Sequence, residues 1–172
     1  MSTREFESRS PLEDFPTLWQ RVVTDPLGFF AGMPETGGLQ APTIFLAICA
    51  GINALGHLLF LSGLRGMLSI FVWQLVAAFL MAALFVLIAQ NLFGGRAGFE
   101  PTFRVVAYAW APLIIAWVPV VGRLALIYSV YLTIRGVERV QQLDATRAVL
   151  TVLLGAGALW ALGIAGIGPL WL

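Results

Sequence analysis

The sequence has no lysine, one cysteine, one histidine and few charges of either sign. Each shortage excludes something. The lone Cys49 cannot form an intrachain disulfide. With one His, one Cys, no HExxH pattern and no acidic residue inside an apolar run, no metal-ligand set can be assembled. No serine sits in a Gly-x-Ser-x-Gly context, and no glycine stretch matches a phosphate-binding loop. No catalytic residue, cofactor or metal is therefore expected, and the chain does not read as an enzyme. The formal net charge of +1 lacks the basic face that nucleic acid requires. Charged residues make up 11% of the chain, against about 25% in an ordinary globular protein.

What is present is apolar. Hydrophobic residues make up 59% of the 172, more than a soluble chain of this size could hide from water. The solvent must be lipid, and the lipid bilayer is the first partner. All basic residues are Arg, and Ala, Gly and Leu are abundant. That usage suggests GC-rich codons and a bacterial source, which would place the chain in the inner (plasma) membrane.

Residues 1–16 are polar and of mixed charge, and read as a mobile cytoplasmic tail with no cleavable signal pattern. Residues 17–40 read as an amphipathic interfacial segment. Leu18, Trp19, Val22 and Val23 share a helical face, and Asp25-Pro26 reads as an N-cap followed by proline at the first helical position. These pieces are too short to cross a membrane. Either they lie in the interface, with Trp19, Phe29 and Phe30 dipping in, or they pack against the end of the bundle.

Residues 41–172 read as the membrane domain. A crossing helix needs roughly 20 apolar residues. Spans are expected at about 43–63 and 67–92, joined by the turn Gly63-Leu64-Arg65-Gly66. The stretch "GGRAGFEP" reads as a loop, and Pro101 opens the next helix. Between Arg104 and Arg135 the only charge is Arg123. One straight helix of that length would overshoot a hydrocarbon core of about 30 Å. Pro119 and Gly122 divide it into spans three, at about 102–117, and four, at about 119–139, with a kink at Pro112. A re-entrant hairpin is the alternative for this region. Span five is expected at about 146–168, with Asp144 as its N-cap and Trp171 at an interface beyond it. The fold class is therefore all-α: a polytopic transmembrane helical bundle of five spans with short N-terminal interfacial helices.

Charge orients the bundle. With the N-terminus cytoplasmic and the C-terminus outside, Arg4, Arg9, Arg21, Arg96, Arg104, Arg135, Arg139 and Arg147 lie inside. Only Arg65 and Arg123 lie outside, which satisfies the positive-inside rule. Trp73, Trp117 and Trp171 then fall near the outer boundary.

Polar residues within the apolar runs are the candidate sites. Cys49, Asn53 and His57 share one face of span one, with Asn53 near the midplane. Asn53 and His57 read either as an intramembrane binding face or as hydrogen-bonding contacts between helices. Arg96, Arg104, Arg135, Glu138, Arg139 and Arg147 gather at the inner side, where Arg135 and Glu138 can pair at i, i+3. They read either as a docking face for a cytoplasmic protein partner or anionic lipid, or as ordinary solvation of helix ends. Gly157, Ala161 and Ala165 form a small-residue stripe for close helix packing, within the chain or in a homo-oligomer. Tyr108, Tyr128 and Tyr131 could bridge spans three and four through their hydroxyls.

The order of these features resembles a known family. A Trp-x-x-Val-Val-x-Asp-Pro-x-x-Phe-Phe opening precedes "FRVVAYAWAP", "WVPVVGRLALIYSVYLTIRGVERV" and "ATRAVLTVLL". This order is similar to that of the Yip-one domain family, integral membrane proteins related to Ypt/Rab-interacting proteins. Tyr108, Pro112, Pro119, Tyr128 and Gly136 carry the most specific part. The resemblance implies five spans, a cytosolic N-terminus and no catalytic residues. It also implies a scaffolding or recruiting role in membrane organisation or trafficking-like processes. The alternative function is a small oligomeric transporter or channel for a solute or lipid, built on Asn53, His57 and the break at Pro112.

Overall fold

The computed structural model describes residues 11–59 and 63–161. Arg4, Arg9, Ala165, Trp171 and the last part of span five lie outside the described residues. The elements run α1 (Pro11–Thr24), α2 (Pro26–Gly32), α3 (Gln40–Leu59), α4 (Gly63–Phe93), α5 (Phe99–Ala109), a 3-10 turn (Ala111–Ile115), α6 (Val121–Gln141) and α7 (Ala145–Ala161). Every described element is helical, which agrees with the all-α expectation.

Two helices, α3 and α4, are long and apolar enough to cross a membrane. A third crossing is reached only if α6 and α7, bent by 119° at their junction, count as one broken span. The other segments expected as spans fall short in length or in apolar character. The segment expected as span three is α5 plus the 3-10 turn, and the 11 residues of α5 rise only about 16 Å. The apolar part of α6 lies between Arg123 and Arg135, about 18 Å of helix.

The central helix is a short one, α5. From Thr102 to Ala109 every residue of α5 is buried. Around it pack α3, α4 and α6, and Phe79 stacks on Phe103 with ring centroids 4.2 Å apart. Close approach is set by side-chain size. A Cβ on Gly136 of α6 would run into Val105 of α5, and one on Gly155 of α7 would stand 2.6 Å from the Phe85 ring of α4. Large apolar residues such as Leu55, Leu68, Val72, Leu87, Ile127 and Leu153 are left exposed, as suits a bundle solvated by lipid. Gly157 is exposed with open space beside it. Its face is not the one α7 packs with, because Ala148, Val152, Gly155 and Leu159 take that role.

The N-terminal helices pack against the bundle, the second of the two expected arrangements. Helix α1 begins at Pro11, inside the segment read as a tail, and Phe15 packs on Phe45 at 5.2 Å. Val22, Phe29 and Phe30 are buried. The Trp19 Nε1–H donates to the Ala111 carbonyl at 2.9 Å, and the Tyr128 hydroxyl donates to the Val23 carbonyl at 2.7 Å. The pair α1–α2 is therefore docked on the bundle. The local N-cap is as expected: the Gly28 N–H donates to Asp25 Oδ1 at 3.1 Å.

The break at Pro112 is built into the packing. Proline offers no N–H, so an α-helix cannot run through it without orphaning a carbonyl. The chain tightens into a 3-10 turn, where the Leu113 N–H reaches the Trp110 carbonyl at 3.0 Å. The flanking carbonyls of Ala109 and Ala111 receive Ser129 Oγ–H at 2.8 Å and Trp19 Nε1–H at 2.9 Å. Side chains from α6 and α1 thus hydrogen-bond to the backbone at the break, as a low-dielectric environment demands. At the far end, Val121 N–H bonds Pro119 O at 2.8 Å, closing a γ-turn with Val120 at φ 69°.

Candidate functional site

The end of the bundle opposite Arg65 and Arg123 is assembled from the loop after α4, the start of α5, the end of α6 and the start of α7. Its organiser is Gln141, a residue the sequence reading passed over. Gln141 is fully buried. Its Oε1 accepts the Ala97 N–H at 3.0 Å, and its Nε2 donates to Ala97 O at 3.1 Å and Thr102 Oγ1 at 2.9 Å. One amide therefore satisfies the turn after Gly95 and fixes α6 against α5. The visible signal was a glutamine at a position that continues the apolar face of α6.

The basic residues are disposed around this joint. Arg135 pairs with Glu138 at 2.9 Å, the expected i, i+3 contact, and lies 5.6 Å from the Tyr131 ring centroid. Arg147 pairs with Asp144 at 3.1 Å, and its own N–H donates to Asp144 Oδ1 at 3.0 Å, so Asp144 caps α7. Arg96 is exposed and reaches Gln142 Oε1 at 3.5 Å. Arg139 is exposed. A shallow groove of about 410 Å³ runs between α2 and the end of α6, lined by Leu27, Phe30, Arg135, Glu138, Arg139 and Gln142. Apolar floor and basic wall stand side by side.

Arg104 does not belong to that face. It is fully buried on the enclosed helix α5. Its Nη2 donates to the Gly38 carbonyl at 2.8 Å and pairs with Glu100 Oε1 at 3.3 Å. The same carboxylate oxygen accepts the Gly38 N–H at 2.6 Å. The guanidinium is a clamp between α5 and the chain entering α3, and is not available to an external ligand.

The intramembrane polar face divides as well. Asn53 is buried and its Nδ2 donates to Gln74 Oε1 on α4 at 3.0 Å. His57, one turn on, is half-buried. Gln74, a polar residue within the apolar run of α4, is the partner that Asn53 meets. The three tyrosines do not bridge spans three and four through their hydroxyls. Tyr108 packs on Phe29 and Phe45, each at 5.1 Å, and Tyr128 bonds α1. Tyr128 and Tyr131 stack at 5.9 Å. Among the described residues no cluster of His, Cys, Asp or Glu could hold a metal ion.

Apolar helices with outward-facing leucines, a proline break satisfied internally and a basic helix-end cluster define the class: a helical integral membrane protein. The Yip1 domain family matches residues 21–167, so the chain belongs to the Yip1 domain family, a family of non-enzymatic membrane proteins. No curated protein and no solved structure matches it. Within the matched region Pro112, Tyr128 and Gly136 are joints of the bundle, each at a contact between elements described above.

Proposed function

We propose that this member of the Yip1 domain family is a membrane scaffold that recruits a protein partner to the groove between α2 and α6. The observation that carries the reading is the composition of that groove. Exposed Arg139 and paired Arg135 stand beside the exposed Leu27, Arg96 reaches the groove residue Gln142, and Arg147 lies at the same end of the bundle. An acidic segment with one or two apolar side chains complements it in both charge and hydrophobicity. Charge complementarity of this kind sets association rate and partner choice more than raw affinity.

In this reading the chain crosses the bilayer five times, with its N-terminus in the cytoplasm, and the groove faces the cytoplasm. The distribution of arginine supports the orientation: Arg96, Arg135, Arg139 and Arg147 lie at one end, and Arg65 and Arg123 at the other. Short α5 and the short apolar part of α6 ask for local thinning of the bilayer, which membranes accommodate at modest cost.

The test is affinity capture from native membranes with the full chain in nanodiscs, followed by mass spectrometry. A partner at fixed stoichiometry is expected from the wild type and lost from Arg96→Gln/Arg139→Gln/Arg147→Gln. Its recovery should also fall near 1 M salt, where the screening length is about 3 Å. Equal recovery from wild type and triple variant would refute the docking face.

A further inference from the structure

A second feature lies within the apolar body of the bundle and is independent of the inner face. A cavity of about 220 Å³ opens among α3, α4, α6 and α7, beside the 3-10 turn. Most of its wall is apolar, including Ile70, Trp73, Met81, Phe85, Leu113 and Val152. Two amides interrupt that wall, Asn53 at 3% exposure and Gln74 at 7%. They share one hydrogen bond, from Asn53 Nδ2 to Gln74 Oε1. Asn53 Oδ1 and Gln74 Nε2 have no partner among the described residues. Ser129 and Thr133 also line the cavity, but their hydroxyls donate to the Ala109 and Ser129 carbonyls. The two amides therefore present one open acceptor next to one open donor. Exchanging O and N in both amides leaves the same complement.

Orphaned buried amide groups are expensive, and hydrocarbon surroundings offer no water to relieve them. Their depth restricts what else can. Gln74 lies nine residues along α4 from Arg65, about 13 Å of helix, against a hydrocarbon half-thickness of about 15 Å. A charged or zwitterionic headgroup stays at the interface and does not descend to this level. The rim is formed by exposed Leu126, Val130 and Ala156, side chains that face lipid. The volume is several times the roughly 30 Å³ of one water, and exceeds the roughly 150 Å³ that holds a benzene ring.

We propose that this cavity binds an uncharged lipid alcohol. Its hydroxyl donates to Asn53 Oδ1 and accepts from Gln74 Nε2, while its hydrocarbon fills the apolar wall and leaves past Leu126, Val130 and Ala156. A hydroxyl satisfies both open atoms. A carbonyl or an ether satisfies only the donor, and a bare alkyl chain neither.

The full chain in nanodiscs would be photolabelled with a long-chain alcohol carrying a diazirine on its chain. The matching methyl ether and alkane serve as comparators. Saturable labelling on α6 and α7 around Leu126, Val130 and Ala156 is expected, with the alcohol favoured over the ether by about fivefold, the value of one neutral hydrogen bond. Asn53→Leu/Gln74→Leu should make alcohol and ether equal. Ala156→Phe fills the cavity from its exposed rim without entering the core, and should abolish labelling at unchanged melting temperature. Equal labelling by alcohol and ether in the wild type would mean that water meets the amides and any chain fills the rest, which overturns the proposal. Undiminished labelling of Ala156→Phe would overturn it too.

Discussion

Replacing Glu100 by Gln should destabilise this protein more than replacing the buried Arg104 by Met. The reason is asymmetry of solvent access. Arg104 is fully buried, whereas the Glu100 side chain is 33% exposed and Gly38 is exposed. Glu100→Gln strips the carboxylate from a cation that water does not reach. Removing one partner of a fully buried pair costs about 3–5 kcal/mol, and the partial exposure of Glu100 reduces that to about 2 kcal/mol. Arg104→Met removes the cation itself. The groups left behind, Gly38 O and the Glu100 carboxylate, can turn to water, so the loss is about 1 kcal/mol. For a chain of this size each kcal/mol moves the melting temperature by about 2–4 °C, giving shifts of about 4–8 °C and 2–4 °C. The double variant should resemble Arg104→Met, because it leaves no buried charge to compensate. Cys49 supplies the assay: it is the chain's single cysteine and is buried, so a thiol-reactive fluorogenic dye reports its exposure on heating. A shift for Glu100→Gln below about 2 °C, or a double variant as costly as the sum, would refute the reasoning.

Two further predictions use the same melt. Val120, β-branched at φ 69°, stores about 1–3 kcal/mol of strain, which exceeds the entropic penalty of glycine. Val120→Gly should therefore raise the melting temperature by a few degrees, and a fall would contradict a strained turn. Gly136→Ala pushes a methyl into Val105 and should cost about 1–3 kcal/mol, while Gly157→Ala meets open space and gains helix propensity. The two alanines should move the melt in opposite directions, and a common direction would mean that α5 and α6 are not packed as described.

The N-terminal region shows where sequence pattern and structure part. Trp19, Phe29 and Phe30 form an amphipathic pattern that suits a membrane surface as well as a protein groove, because lipid and protein interior reward the same apolar face. What separates the two outcomes is a polar contact on the other partner. The Ala111 carbonyl meets Trp19, and the Tyr128 hydroxyl meets Val23, and both lie roughly a hundred residues away in sequence. Local periodicity carries no information about partners at that distance. The docked position of α1 also explains why residues 11–16, poor in core formers, still continue a helix: Phe15 has Phe45 to rest on.

The arginine cluster divides for a similar reason. Arg96, Arg104, Arg135, Arg139 and Arg147 are equivalent as letters, since each is a lone arginine near the border of an apolar run. Only packing distinguishes them, by enclosing α5 so that Arg104 becomes a clamp while Arg139 stays exposed. Asn53 was recognisable as a polar residue inside a span. Gln74 was not recognisable as its partner, because a hydrogen bond between two helices depends on their relative rotation.

By itself the sequence determined the solvent of this protein, its helical class, its family, the caps at Asp25 and Asp144 and the break at Pro112. These follow from composition, from residue order and from interactions within one or two turns, which the chain meets wherever it folds. Tertiary structure alone decided that α1 and α2 dock on the bundle and that Arg104 is interior. It also decided that Gln141 ties α6 to α5 and the loop before it, and that two amides face one cavity. Those outcomes depend on which helix faces are brought together, and lipid, unlike water, rewards every apolar face alike. The choice among faces therefore falls to glycine clearances and to the few polar atoms that must find partners across the bundle.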